Sequence, residues 1–133
     1  MLVVTPATAR SLDAPQIVDL RARDEMLVVI TDVDVDAALR DAADWLASYD
    51  TSIESDDVIA PGVDPRAYVE EWIGVRSVIA LEAAATLIRK EGGDELERAE
   101  FARLFATGEP QRGLRAFLEK GTPVFATATI EFL

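Results

Sequence analysis

The side chains able to do chemistry in this chain are carboxylates. The 133 residues hold 25 Asp and Glu against 13 Lys and Arg, a formal charge of -12, with no histidine and no cysteine. Without those two residue types there are no disulfides, no zinc sites of the usual kind, no thiol nucleophile and no Ser-His-Asp or Cys-His machinery. What remains is carboxylate chemistry with a hard metal ion, or no chemistry at all. The excess of negative charge also repels a phosphate backbone, which excludes generic nucleic-acid binding.

Two carboxylate groupings have spacings worth testing. Asp32, Asp34 and Asp36 alternate as in a calcium loop, where that spacing turns successive oxygens onto one ion. The sixth position of such a loop needs glycine and the twelfth a bidentate glutamate, yet Ala37 and Ala43 stand there. The plainer reading is that these aspartates cap a helix at its positive end. The second grouping is Glu70-Glu71 with Glu91 and Asp94. It resembles the all-helical nucleotide pyrophosphohydrolases, whose EExxE and ExxD motifs gather carboxylates around magnesium so that water attacks a diphosphate. Gly74 occupies the place of the third glutamate, and Glu91-Gly92-Gly93-Asp94 crosses a helix stop, so ordinary surface carboxylates are the alternative.

Other residues read as structure. Gly92, Gly93, Gly108, Gly113 and Gly121 lack the strand-linked spacing of a phosphate-binding loop and punctuate helices instead. Trp45 and Trp72 read as core anchors. Arg112 and Arg115 form a local basic spot late in the chain, solvated or facing an acidic neighbour.

The elements that position these residues follow from periodicity and caps. Residues 1 to 12 read as an extended arm, with Val3 and Val4 strand-like and Pro6 an interruption. Asp13 caps a helix from about Ala14 to Asp24 with Pro15 in its first turn, and Ile17 and Leu20 face inward. Met26 to Ile30 is either a buried strand or the end of that helix. Val35, Leu39, Ala42, Leu46 and Tyr49 recur at helical spacing, capped by Asp34 or Asp36. Residues 50 to 64 form an acidic loop around Pro61-Gly62, with a short strand at Val58 to Ile59. Asp64-Pro65 opens the longest helix, to about Glu91, with Val69, Trp72, Arg76, Ile79, Ala80, Ala83 and Leu87 inward. A helix follows from Asp94, paired with Glu97, and a short one over Pro110 to Lys120 carries Leu114, Phe117 and Leu118.

The last segment, TPVFATATIEFL, alternates like a strand of about ten residues. A lone strand leaves its backbone groups unpaired, so it needs either the Val3-Val4 arm or another chain. The expected architecture is mainly α: a small helical bundle (13–121) around a long central helix, with an N-terminal arm (1–12) and a C-terminal β-strand (122–133). The opening MLVVTPATAR has neither a basic start nor an apolar core, so no secretory signal is expected. No apolar run approaches the roughly 20 residues that span a bilayer, so a soluble, intracellular chain is expected.

The order VTP…LDAPQIVDL, an acidic turn, ALRDAADWLASY, a loop and YVEEWIGVRSVIALEAAATLI resembles the head-tail connector (adaptor) proteins of tailed bacteriophages, over roughly residues 3 to 90. The resemblance implies a structural virion protein of the neck, a ring of its own copies, a dodecamer in that family, between the portal protein and the head-closure or tail proteins. DNA would pass through its channel without specific binding, and the acidic stretch 32 to 64, ten acids against one arginine, suits a lining to which DNA does not adhere. No catalysis, cofactor or metal is expected, and no membrane partner. A terminal strand free to add to a neighbour's sheet makes Val124, Phe125, Ile130, Phe132 and Leu133 the expected contact residues, and a chain without residues 122 to 133 would keep its core. The alternatives are a small acidic regulatory or immunity-type binding protein and the magnesium-dependent pyrophosphohydrolase.

Overall fold

The computed structural model describes residues 1–73, 77–90, 93–119 and 130–133. Among them the chain forms a parallel five-stranded sheet and seven helices, an α/β arrangement in place of the expected helical bundle. The chain divides into two compact units, residues 1–71 with 129–133, and residues 72–128.

The first unit holds the sheet. Strands β1 (Leu2–Val4), β2 (Leu27–Thr31), β3 (Trp45–Ser48), β4 (Asp57–Val58) and β5 (Glu131–Phe132) lie in the order β4-β3-β2-β1-β5. All pairings are parallel, with Val3 opposite Val28, Val29 opposite Leu46, Ala47 opposite Asp57 and Val3 opposite Phe132. Helices α1 (Pro6–Ser11), α2 (Ala14–Ala22) and α3 (Ala37–Ala42) connect the first three strands, and α4 (Pro65–Ile73) follows β4. Leu2, Val4, Leu27, Val29 and Leu46 share one face of the sheet with Ile17 and Leu20 of α2 and Leu39 and Ala42 of α3. Val3, Val28, Ile30 and Ala47 point the other way by strand alternation and are equally buried.

Burial on both faces explains the largest correction. A half-exposed strand alternates, whereas a doubly buried parallel strand is a short unbroken apolar run without a period. The expected arm is therefore β1, an interior strand. Pro6 does not interrupt it but opens α1, where its missing amide costs nothing. Met26 to Ile30 resolves as β2. The helix expected over Val35 to Tyr49 is α3 followed by β3. Val35, Leu39, Ala42 and Leu46 do meet in one core, but Asp44 breaks the helix. Its amide donates to the Leu27 carbonyl at 2.8 Å and its carboxylate accepts from the Leu27 amide at 2.8 Å.

Asp56 repeats this device one strand further on, giving its amide to the Leu46 carbonyl and taking the Leu46 amide, each at 2.8 Å. At the opposite ends of the strands, hydroxyls do the same work. Thr31 Oγ1 accepts from the Val33 amide and donates to its carbonyl, and Ser48 Oγ does both to Asp50. The starts of β2 and β3 thus close on an aspartate from a later connection, and their ends on the hydroxyl of the strand's own last residue. Asp24 takes φ 51°, a left-handed conformation that aspartate tolerates, between α2 and β2.

The Asp13 helix stands as expected, with Gln16 and Asp13 capping each other's amides at 2.9 Å. Asp36 caps α3 and Asp64 caps α4. The short strand expected at Val58 to Ile59 is β4. The long central helix is two, α4 and α5 (Val78–Lys90), while Gly74, Val75, Arg76, Glu91 and Gly92 lie outside the described residues. Of its expected inward stripe, Val69 and Ala83 are buried, Trp72, Ile79 and Leu87 are half-buried, and Ala80 is exposed.

The second unit carries α5, α6 (Asp94–Ala106) and α7 (Glu109–Leu118), with α6 packed against both of the others. No described helix is long and apolar enough to cross a membrane.

The C-terminal strand is shorter than its pattern in what is described, since residues 120–129 lie outside it. Glu131 and Phe132 pair with Leu2 and Val3, the Thr5 amide donates to the Leu133 carbonyl at 3.0 Å, and Leu133 packs against the core. Removing residues 122 to 133 therefore exposes one edge of β1, and the shortened chain should unfold at lower urea than the full one, opposite to the expectation above. Asp44→Ala, which strips the Leu27 amide of its partner, should cost about 1–3 kcal/mol in urea unfolding, while Asp41→Ala on the exposed side of α3 should stay within about 0.5 kcal/mol.

Candidate functional site

In open parallel sheets ligands settle beyond the carboxyl ends of the strands, where the winding direction reverses. Here that point lies between β1 and β5. Thr5 fills it: its amide and its hydroxyl both donate to the Leu133 carbonyl, the latter at 2.7 Å. The first turn of α1 that follows, Pro6-Ala7-Thr8, has no glycine to let a phosphate approach the backbone.

Further along the same edge the aspartates are spent one by one. Arg10 Nη1 grips both oxygens of Asp32 at 2.7 and 2.5 Å. Asp34 takes Arg40 Nη2 at 3.2 Å and the Val35 amide, and Asp36 caps α3. The three alternate carboxylates point to three different partners. Hydrogen bonds from the Ser52 hydroxyl and amide hold the Asp50 carboxyl below its ordinary value of 3.8. The Tyr49 hydroxyl donates to the Val63 carbonyl, and burial first, then the charges of Asp64 and Asp32, push its phenol up. Among the described residues no group of three or more Asp or Glu side chains is arranged to hold a metal ion.

The residues singled out for pyrophosphohydrolase chemistry belong to different elements. Glu70 and Glu71 are exposed on α4, Asp94 opens α6 in the other unit, and Glu91 lies outside the described residues. Trp45 reads as structural: its Nε1–H donates to the Tyr68 hydroxyl at 3.2 Å, which donates to Asp57 Oδ2 at 2.8 Å. Burial, chiefly, pushes the Tyr68 phenol up to about 12; donation by Trp45 opposes this and the Asp57 carboxylate reinforces it.

Of the expected contact residues, Val124 and Phe125 lie outside the described residues. Ile130 is half-buried. The Phe132 ring lies 4.1 Å beneath the Arg66 guanidinium, and Leu133 belongs to the core. Since β5 ends the sheet, its outer backbone edge is the part of this segment that a neighbouring strand would meet.

The second unit holds a feature that the sequence reading passed over. On α7, Leu114, Phe117 and Leu118 fall on one stripe, four, seven and eight residues after Pro110, and all three point to solvent; Phe117 is 78% exposed. The opposite stripe is Glu109, Gly113 and Ala116, and there the carboxylate is inside, Glu109 being 2% exposed. The rotation of the helix is set at its first turn. Ser77, whose Oγ caps α5 through the Ala80 amide at 3.1 Å, donates its hydroxyl to Glu109 Oε2. The other oxygen, Oε1, is buried without a hydrogen-bond partner. On α6, Phe101 and Phe105 stack at 5.2 Å between centroids and are also exposed. The legible signal was a narrow apolar stripe on a short helix.

No protein-family model, curated protein or solved structure matches this chain.

The phenols give a test of the aspartate edge. At about pH 10.5 the folded chain should show less tyrosinate absorbance than the urea-unfolded chain, whose phenols are more than half ionised. Because the folded value lies above the unfolded one, the stabilisation is whole below pH 10 and is lost as the pH rises through about 12. A normal titration in the folded state would contradict the burial of Tyr68.

Proposed function

We propose that the chain is a structural assembly subunit that works by contact and carries out no bond-making step. The observation that carries this is α7: it buries a carboxylate and turns Leu114, Phe117 and Leu118 outward. A buried carboxylate with an unsatisfied oxygen is costly, and so is solvated apolar surface. The second cost is removed in a subunit whose apolar stripe is covered in the working state.

The assembly we propose is the one the sequence resembles, a head-tail connector ring in the virion neck. Its partners are further copies of itself, the portal protein, and head-closure or tail proteins, with DNA sliding through without adhesion. The resemblance covers residues 3 to 90, and the exposed face lies at 94 to 118, so the two supports are independent. The fold adds nothing to the connector reading, because the resemblance implied a mainly helical subunit.

A small acidic regulatory or immunity-type protein is the second reading. It is favoured by the exposure of Asp34, Asp36, Asp41, Asp50, Glu54, Asp56 and Asp64 on the first unit, a surface that fits a basic partner.

Size separates them. By light scattering after size exclusion, the chain should elute above its monomer mass of 14.5 kDa, alone or when mixed with the portal protein of the same genome. A species that stays monomeric in both conditions overturns the connector reading and leaves the acidic binding protein.

A further inference from the structure

We propose that the contact between Ser77 and Glu109 is a latch on which α6 and α7 close and open as one hairpin, without the sheet unfolding.

The first ground is what the two helices lack. Among the described residues no side chain of α6 is buried, and on α7 only Glu109 is. In the same unit α5 buries Val78, Ala83 and Ala85, and in the first unit β2 buries all five of its residues. Helices of 13 and 10 residues are marginal in water by themselves and draw their stability from an apolar face set against a core. Leu96, Leu104 and Ala116 are only half-buried, and Phe101, Phe105, Leu114, Phe117 and Leu118 are exposed. Nor is α6 fastened at its start, where Gly93 caps it without a side-chain bond.

The second ground is how the corner between the helices is tied. The Thr107 hydroxyl donates to the Leu104 carbonyl at 2.6 Å and accepts from the Glu109 amide at 3.2 Å, and the Gly108 amide donates to the Phe105 carbonyl at 3.3 Å. Gly108 takes φ 77°, a left-handed conformation open to glycine without steric cost. These short-range bonds join the end of α6 to the start of α7, so the two helices move together. The tie to α5 is of another kind. It spans 32 positions and joins Ser77 Oγ, at the start of α5, to Glu109 Oε2, at the start of α7.

The third ground is the balance at the latch. Closed, it leaves Glu109 Oε1 buried without a partner. Opening gives that oxygen to water and so offsets part of what the bond to Ser77 contributes. A segment held by such a bond and by little apolar burial opens locally, at a free energy below that of global unfolding. The second unit therefore has two states, one with Glu109 inside against Ser77 and one with the hairpin released from α5.

The test is native-state hydrogen exchange of the full chain, read by mass spectrometry from zero to subdenaturing urea. Amides over 96–118 should exchange together, roughly a hundredfold faster than those of β2 and with a weaker urea dependence. Ser77→Ala leaves the carboxylate wholly unpartnered and should speed exchange over 96–118 about fivefold or more, with β2 unchanged. Ser77→Thr keeps the hydroxyl and should exchange as the wild type does. Because Ser77 Oγ also caps α5 through the Ala80 amide, loss of the cap alone would speed only the first turn of α5, and that outcome overturns the latch. So does a Ser77→Thr chain as fast as Ser77→Ala. Hairpin amides as slow as those of β2, α6 and α7 exchanging at separate rates, or β2 quickening together with the hairpin in Ser77→Ala would each overturn it as well.

Discussion

The constraint behind the first unit is a parallel sheet whose central strands are sealed from water on both faces. A buried backbone amide or carbonyl with no partner costs about as much as a lost hydrogen bond, and short strands have many ends per residue. The chain meets this with two repeated devices. Aspartates, Asp44 and Asp56, bind Leu27 at the start of β2 and Leu46 in the first half of β3 from outside, and the buried hydroxyls of Thr31 and Ser48, the last residues of those strands, reach forward to Val33 and Asp50. Three- to five-residue strands hold together because their termini are tied as firmly as their middles.

The same constraint accounts for where the acids go. A reader of the composition sees 25 carboxylates and looks for a metal or a substrate. In the folded chain Asp13, Asp36 and Asp64 cap helices, Asp44 and Asp56 close strands, and Asp32 and Asp34 meet arginines. Glu109, the one fully buried carboxylate among the described residues, contacts Ser77 at the first turn of its helix. In these eight, charge that looked like chemistry serves the backbone and neighbouring side chains.

What was legible in the sequence were the local contracts. Asp13 with Gln16 and Asp64 with Pro65 mark helix starts, because a cap is decided within four residues; α6 does begin at Asp94, but the expected pairing with Glu97 does not form and Gly93 holds the cap position without a side-chain hydrogen bond. The short strands at Val58 to Ile59 and at the C-terminus were legible, but the parallel sheet that joins them to the interior strands was not. Leu2 to Val4 has no alternation to detect, and Val35, Leu39, Ala42 and Leu46 fit a helical period although the last of them sits on a strand. Both belong to the same core, so spacing found the buried residues and misassigned the backbone between them; pairing with β2 decided the matter. The α6 and α7 face was half legible: its apolar residues were seen, but not that they point outward, which depends on the contact between Ser77 and Glu109, 32 positions apart.

Pairing β1 with β5 sets the order in which the molecule can be made. Thr5 waits for a partner 128 residues further on, and the whole second unit is translated in between. Closing so long a loop adds only a slowly growing entropy, but it delays the event. On the ribosome the outer edge of β1 stays an open template until the final strand emerges, and a nascent chain that pauses there offers that edge to any passing strand. Its vulnerability to misfolding is concentrated in the interval between the synthesis of β1 and that of β5.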